Sequence, residues 1–337
     1  MWVHCIGRDQ EFGALIGKGC KNMNSTKFEL SGRKVWVAGH RGMVGSALVR
    51  LLDDHDCVVL TASRSELDLR RQTDVENWMG SYKPEVVIIA AATVGGILAN
   101  DMRPAEFLYD NLVIETNIIH ASRALDIKKL MLLGSTCIYP RLAAQPIKET
   151  ALLTGALEPT NQWYAIAKIA GIKLCDAYRK QFGCSFISAQ PTNLYGPNDN
   201  FDLNSGHVLP ALMRKVHEAK EGDAEWVDVW GTGLPLREFL HVDDLAQALL
   251  FLVQNYDEAG HVNIGSGEEI SIAELAKMIA ATVGYQGKFR FLNEKPDGTP
   301  RKLADTAKLN NLGWSPDISL ADGLRSTYEW YTEYGTG

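Results

Sequence analysis

A glycine loop set between a strand and a helix constrains this chain more than any other feature. Val35-Trp36-Val37-Ala38 is a short apolar run, Gly39-His40-Arg41-Gly42-Met43-Val44-Gly45 follows with glycines three apart, and Met43 to Leu52 has helical spacing. Glycines there permit a tight turn and close backbone approach, and the N–H groups opening the helix suit a pyrophosphate. A glycine triplet alone is weak evidence; its place between strand and helix favours a dinucleotide cradle over a purely structural turn. Such a cradle belongs at the carboxyl edge of a parallel sheet, so strand and helix should alternate beyond it.

They do. Cys57 to Leu60, Val86 to Ala90, Leu130 to Leu133 and Ser185 to Ala189 read as strands. The Val86 segment is continuously apolar, as a parallel strand covered on both faces should be. Ala105 to Leu125 and Trp163 to Gln181 read as long helices. The fold expected is α/β: a Rossmann-type doubly wound parallel sheet with a smaller C-terminal substrate-binding α/β domain. The cofactor domain is expected over 34–191 with returning segments near 239–265, and the substrate domain over 192–238 and 266–337. Residues 1–33 lack sustained periodicity and read as a loosely ordered extension, with no apolar core for a secretory signal.

Composition sets outer limits. A chain of 337 residues, 46% hydrophobic with a formal charge of −7, offers no basic excess for nucleic acid, and no apolar run approaches a membrane span. Cys5, Cys20, Cys57, Cys137, Cys175 and Cys184 form no Cys-x-x-Cys pair, so neither a disulfide framework nor a zinc site is legible. His4, Cys5 and Cys20 lack a fourth ligand, and no metal is expected. A reducing, cytoplasmic compartment fits this usage.

Cofactor choice is made at the end of the second strand, where an NAD site usually places a carboxylate. Here stands Thr61-Ala62-Ser63-Arg64, with no acid at the tip. Arg64 with Arg41 suits a 2′-phosphate, which points to NADP(H); two solvated surface arginines are the alternative. Tyr164 and Lys168 stand four apart on one helix face, and Ser135 ends the preceding strand. A phenol titrates near 10, and an adjacent ammonium is expected to lower it. Ser135 would bind a substrate carbonyl beside the tyrosine.

With these residues the chain resembles the extended short-chain dehydrogenase/reductase family. Asp68, which in that family faces the adenine, and Phe239-Leu240-His241-Val242-Asp243-Asp244 also fit. The resemblance covers about Arg33 to Tyr331. It is strongest to the branch that epimerises C3 and C5 of GDP-4-keto-6-deoxy-D-mannose and then reduces C4 with NADPH, giving GDP-L-fucose. Gly134-Ser135-Thr136-Cys137-Ile138-Tyr139-Pro140, Gln190-Pro191-Thr192-Asn193-Leu194-Tyr195-Gly196-Pro197, the stretch from Asn204 to Leu212 and the stretch from Lys295 to Lys302 carry it, beside the glycine loop.

The resemblance implies a cofactor site from Gly39 to Gly45, Arg64, Asp68, Leu133, Gly134, Ser135, Thr136, Tyr164, Lys168, Pro191, Thr192, Asn193, Leu194 and His207. It assigns Cys137 as base and His207 as acid. Both protons removed are alpha to the ketone, so each removal gives an enolate that Tyr164 and Ser135 can stabilise, with base and acid on opposite faces. Taken alone, Cys137 would pass for a core residue and His207 for a cap. For the nucleotide-sugar the resemblance points to Trp230, Arg237 and Asp297, and less firmly to Lys215, because relatives commonly carry arginine there. Thr93 likewise replaces a position often basic in bacterial members. A 4,6-dehydratase would want a carboxylate at Cys137, a recycling 4-epimerase would usually hold NAD, and a non-catalytic NADP-sensing protein tends to lose the tyrosine–lysine pair. In related enzymes the two long helices form a four-helix interface, so a homodimer is expected.

Overall fold

The computed structural model describes residues 27–203, 205–295 and 297–335. The glycine loop joins β1 (Lys34–Ala38) to α1 (Met43–Asp53); β2 (Val58–Leu60), α2 (Gln72–Tyr82), β3 (Val86–Ile89), α3 (Ile97–Met102) and α4 (Pro104–Ala124) follow. Then come β4 (Lys129–Leu133), α5 (Gln162–Phe182), β5 (Phe186–Pro191) and β6 (Asn193–Tyr195). The remainder runs α6 (Val208–Glu221), β7 (Trp226–Trp230), β8 (Leu236–His241), α7 (Val242–Asn255), β9 (His261–Ile264), β10 (Glu269–Ser271) and α8 (Ile272–Val283). It closes with β11 (Lys288–Leu292), β12 (Arg301–Lys302), α9 (Ala307–Leu312) and α10 (Leu320–Trp330).

Six strands form one parallel sheet in the order β2-β1-β3-β4-β5-β9. Successive side chains on a strand face opposite ways, and the core divides accordingly. Val35, Val37, Val86 and Ile88 pack against α1 and α7. Trp36, Ala38, Val87 and Ile89 pack against α2, α4 and α5. Full burial of each such aliphatic side chain contributes about 1.5–3 kcal/mol, which is why these strands carry no polar face. The strand order reverses between β1 and β3, and a sheet of this kind opens a ligand crevice at that switch point.

The expected doubly wound sheet is present, with one element unforeseen. Helix α2 buries only Val75 and Met79, too weak an apolar stripe to read from the chain. A second lobe is built from α6, α8, α10 and two small sheets, β10-β8-β12 with β6 on β8, and β11 with β7. Among the described residues no helix is long and apolar enough to cross a membrane.

The extension behaves differently from a loose tail where it is described. Residues 1–26, with His4, Cys5 and Cys20, lie outside the described residues. From there Leu30 is buried in the core beside α1 and α7, and Phe28 packs against it. Phe28 N–H donates to Gln254 O at 2.7 Å and Gly32 N–H to Asp56 O at 2.7 Å. Two apolar side chains among polar neighbours leave no periodic trace, yet they cover the edge of the core.

Candidate active site

The glycine loop crosses the carboxyl edge of β1 into α1. Gly39 has φ +90°, and a Cβ there would stand 2.6 Å from Ala91 of the loop after β3. A Cβ on Gly45 would overlap Gly39 O. Both positions therefore exclude any side chain, and the α1 N-terminus opens uncapped at Gly42. A cleft of about 290 Å³ lies in front of it, lined by Gly39, His40, Arg41 and Gly42 with Arg64, Asp68 and Arg70. Arg70 forks onto Asp68, Nε to Oδ1 at 3.0 Å and Nη2 to Oδ2 at 3.0 Å, and its hydrogen bonds hold the Asp68 carboxyl down to about 2. Nothing in the sequence marks Arg70, because its partner and not its own spacing fixes its place. Glu66 turns back on Ser63, accepting from its N–H and its hydroxyl at 2.7 Å each. The acid nearest the β2 tip is thus engaged within its own turn as an anion, and Arg41 and Arg64 line the cleft beside it. A phosphate-bearing dinucleotide fits this donor set.

At the end of β4 the chain passes Leu133 and Gly134 to Ser135, which caps a short helical turn, Thr136–Ile138. Ser135 Oγ accepts from Cys137 N–H at 3.2 Å, and Ser135 N–H donates to Gln190 Oε1 at 2.8 Å. Gln190, fully buried on β5, also occupies the space a Cβ on Gly134 would need. That glutamine holds the serine turn in register with the sheet, a role visible only once β4 and β5 are side by side.

Tyr164 and Lys168 project from the first turns of α5 toward this turn. Lys168 Nζ donates to Leu133 O at 2.9 Å, pairs with Glu115 Oε1 at 2.7 Å, and sits 5.7 Å from the centroid of the Tyr164 ring. The expectation that the ammonium lowers the phenol does not hold here. Burial, then the negative charges of Cys137 and Glu115, raise Tyr164 well above its usual value. The physical reason is first the burial of the ring; Glu115 of α4, itself raised by burial, adds to it by offsetting part of the charge of Lys168.

Cys137 has an ammonium beside it. Lys302 Nζ stands 3.4 Å from Cys137 Sγ. Burial opposes a thiolate, but Lys302 and the Ser135 hydroxyl outweigh it and the thiol is lowered. His207 opens α6 as its N-cap residue. The residue is exposed, yet the protein packed around its ring, and then the Lys302 ammonium, lower its pKa. Both proposed proton-transfer groups thus feel one lysine. The His207 loop is held by the segment after β3, where Gly96 N–H donates to Ser205 O at 2.9 Å and a Cβ on Gly96 would stand 2.7 Å from Gly206 O. Thr93, in the same segment, is fixed by Asn111, whose Oδ1 accepts from Thr93 N–H at 2.8 Å.

Strand β12 explains how Lys302 arrives. It pairs with β8 so that Lys302 lies opposite Arg237. Arg237 is half-buried, and Asp297 partly offsets what burial does to its charge. Asp297 itself accepts from Thr232 N–H at 2.7 Å and Thr232 Oγ1 at 2.8 Å, so it shapes the turn after β7. Trp230 ends β7 exposed, with Lys215 Nζ 5.7 Å and Lys295 Nζ 5.5 Å from its ring. Pro191 closes β5 and Thr192 follows it, Thr192 N–H donating to Ile264 O at 2.9 Å. Asn193 opens β6 with its side chain on Glu238 O at 2.8 Å, and Leu194 packs below against the core.

Residues 35–265 match the family described as NAD dependent epimerase/dehydratase. The chain belongs to that family. Within it, the chain is 58% identical over 300 residues to the GDP-L-fucose synthase of Sinorhizobium fredii, covering 89% of this chain and 96% of that protein. It is 60% identical over 299 residues to GDP-L-fucose synthase 1 of Arabidopsis thaliana, covering 88% and 93%. Among solved structures, the GDP-L-fucose synthetase of Naegleria fowleri bound to NADP superposes with a TM-score of 0.86 at 28% identity, covering 93% of this chain and 99% of that one.

Proposed function

We propose that this chain converts GDP-4-keto-6-deoxy-D-mannose to GDP-L-fucose by epimerising C3 and C5 and reducing C4 with NADPH. Its similarity to GDP-L-fucose synthases over nearly their full length supports the overall reaction. The observation that carries the residue assignments is the Lys302–Cys137 contact at 3.4 Å, one short turn from Ser135. A cysteine held that way is an active base, whereas a core cysteine such as Cys175 is pushed upward by burial.

Cys137 takes the proton from C3 or C5, and His207 returns one from the other face. Ser135 and Tyr164 hold the C4 oxygen as it becomes an enolate and, in the last step, Tyr164 gives it a proton. NADPH, when bound, supplies the hydride. Gly39 to Gly45 would take its pyrophosphate, Arg41 and Arg64 its 2′-phosphate, Asp68 the adenine side, and Lys168 the nicotinamide ribose, with the Leu133–Thr136 and Pro191–Leu194 turns lining the nicotinamide end. On the substrate side Arg237 suits the diphosphate, Trp230 gives an aromatic wall, and Lys215 adds charge beside it; Asp297 acts by holding Thr232. The residues of 34–191 and 239–265 form the cofactor domain, whose core also takes Leu309 of α9 and Trp314, and the other described residues of 192–238 and 266–335 form the substrate domain.

Exposed apolar side chains on the outer faces of α4 and α5, Tyr109, Trp163 and Ile166, support pairing of two copies across these helices. The deciding experiment is incubation of the chain with the keto sugar and NADPH, followed by identification of the product sugar by NMR. A product reduced at C4 with C3 and C5 unchanged would leave only the reductase half of this reading standing.

A further inference from the structure

Glu115 lies in the middle of α4, outside every motif of the chain. Its side chain is 1% exposed, and Oε1 stands 2.7 Å from Nζ of Lys168, itself 2% exposed. Neither carboxylate oxygen has a hydrogen-bond partner among the described residues, so charge alone ties Glu115 to Lys168. Burying a carboxylate is costly, and an apolar residue would fill the same space without that cost, so packing does not account for it. The fold makes room for it: Gly171 of α5 faces it, and a Cβ there would overlap Oε2.

An ammonium has three N–H donors. One from Lys168 goes to Leu133 O at 2.9 Å on β4, and the ion pair with Glu115 Oε1 at 2.7 Å draws the same ammonium toward α4. Two anchors on different elements therefore decide where Nζ stands beside Tyr164.

We propose that Glu115 is a positioning residue for the reduction step, locking the Lys168 ammonium beside Tyr164 and offsetting its charge there. This rests on the reading of Tyr164 as proton donor to the C4 oxygen. A reductase needs that phenol with its proton on, and an unbalanced ammonium at this place would draw the proton off. Tyr164 faces Lys168 on its own helix, Cys137 after β4 and Glu115 on α4; Glu115 also faces Cys175 of α5. The two negative neighbours act with burial in raising the phenol.

The test has an arm that needs no substrate. Glu115→Gln leaves a buried ammonium without its counter-charge, so the full-length variant melts several degrees below the parent. Glu115→Gln with Lys168→Met regains most of that loss, because the unpaired charge has gone. Losses that simply add overturn the pairing. In the second arm, the alkaline limb of NADPH consumption moves down by about one pH unit or more in Glu115→Gln, since Tyr164 gives up its proton sooner. Glu115→Asp keeps the charge and the parent's limb at a lower rate. An unmoved limb in the glutamine variant overturns the proposal. A parent chain that consumes no NADPH with the keto sugar counts against the reaction assigned above, and the melting arm still decides Glu115.

Discussion

Lys302→Met keeps the reach of the side chain and removes its charge, 3.4 Å from Cys137 Sγ. A counter-charge within about 4–6 Å lowers an acid by about 1–3 pKa units. Its removal should therefore cut the thiolate fraction near neutrality about tenfold or more, each unit being about 1.36 kcal/mol. Burial, which disfavours the thiolate, then faces only the Ser135 hydroxyl. Because the thiol is lowered in the parent chain, the thiolate is present above that lowered value, and in the variant it appears only at higher pH. The assay is alkylation by iodoacetamide, read at Cys137 by peptide mass from about pH 6 to pH 10. Cys175, fully buried and pushed upward, serves as an unreactive internal control. Exchange of the C3 and C5 protons with D₂O should fall in proportion at neutral pH and recover as the solution becomes alkaline. Coincident alkylation curves for parent and variant would refute the argument, since Lys302 would then have no hold on the thiol.

Three further outcomes are expected. Arg64→Ala should weaken NADPH binding by tenfold or more, about 1.4 kcal/mol, and leave NADH nearly untouched, because only one of them carries a phosphate for the guanidinium; titration by fluorescence quenching reads both. Cys137→Ser should abolish deuterium exchange into the sugar, while Tyr164→Phe should lower NADPH consumption by orders of magnitude and retain some exchange, the two readouts being mass spectrometry and absorbance run side by side. Deleting residues 1–31 should lower the melting temperature by several degrees, and Leu30→Ala should do much of the same, because Leu30 is 3% exposed and losing a buried leucine side chain costs about 2–5 kcal/mol; calorimetry on the two variants checks it, and an unchanged melting temperature in both would refute it.

What the chain declares by itself is whatever depends on near neighbours. The glycine loop is legible because a tight turn, a close backbone approach and a helix start fall within seven residues, Gly39 to Gly45. The parallel sheet is legible because Val86–Ile89 has no polar side to show. Tyr164 and Lys168 share a face through helical geometry alone, and the serine turn from Ser135 to Cys137 is a contiguous segment. Tertiary structure decides whatever depends on two distant segments meeting. Lys302 reaches Cys137 across 165 positions because β12 takes its register from β8, where it lies opposite Arg237. Gln190 steadies Ser135 from 55 positions away because β5 lies beside β4. The Tyr164 environment could not be read from its own helix at all: spacing showed the ammonium but not the carboxylate that α4 packs against it. Leu30 and Phe28 joined the core for the same reason, as two apolar side chains whose partners lie on elements the local pattern never mentions. Periodicity records which way a side chain points within its element; which charge or surface it meets there is fixed by the packing of the elements.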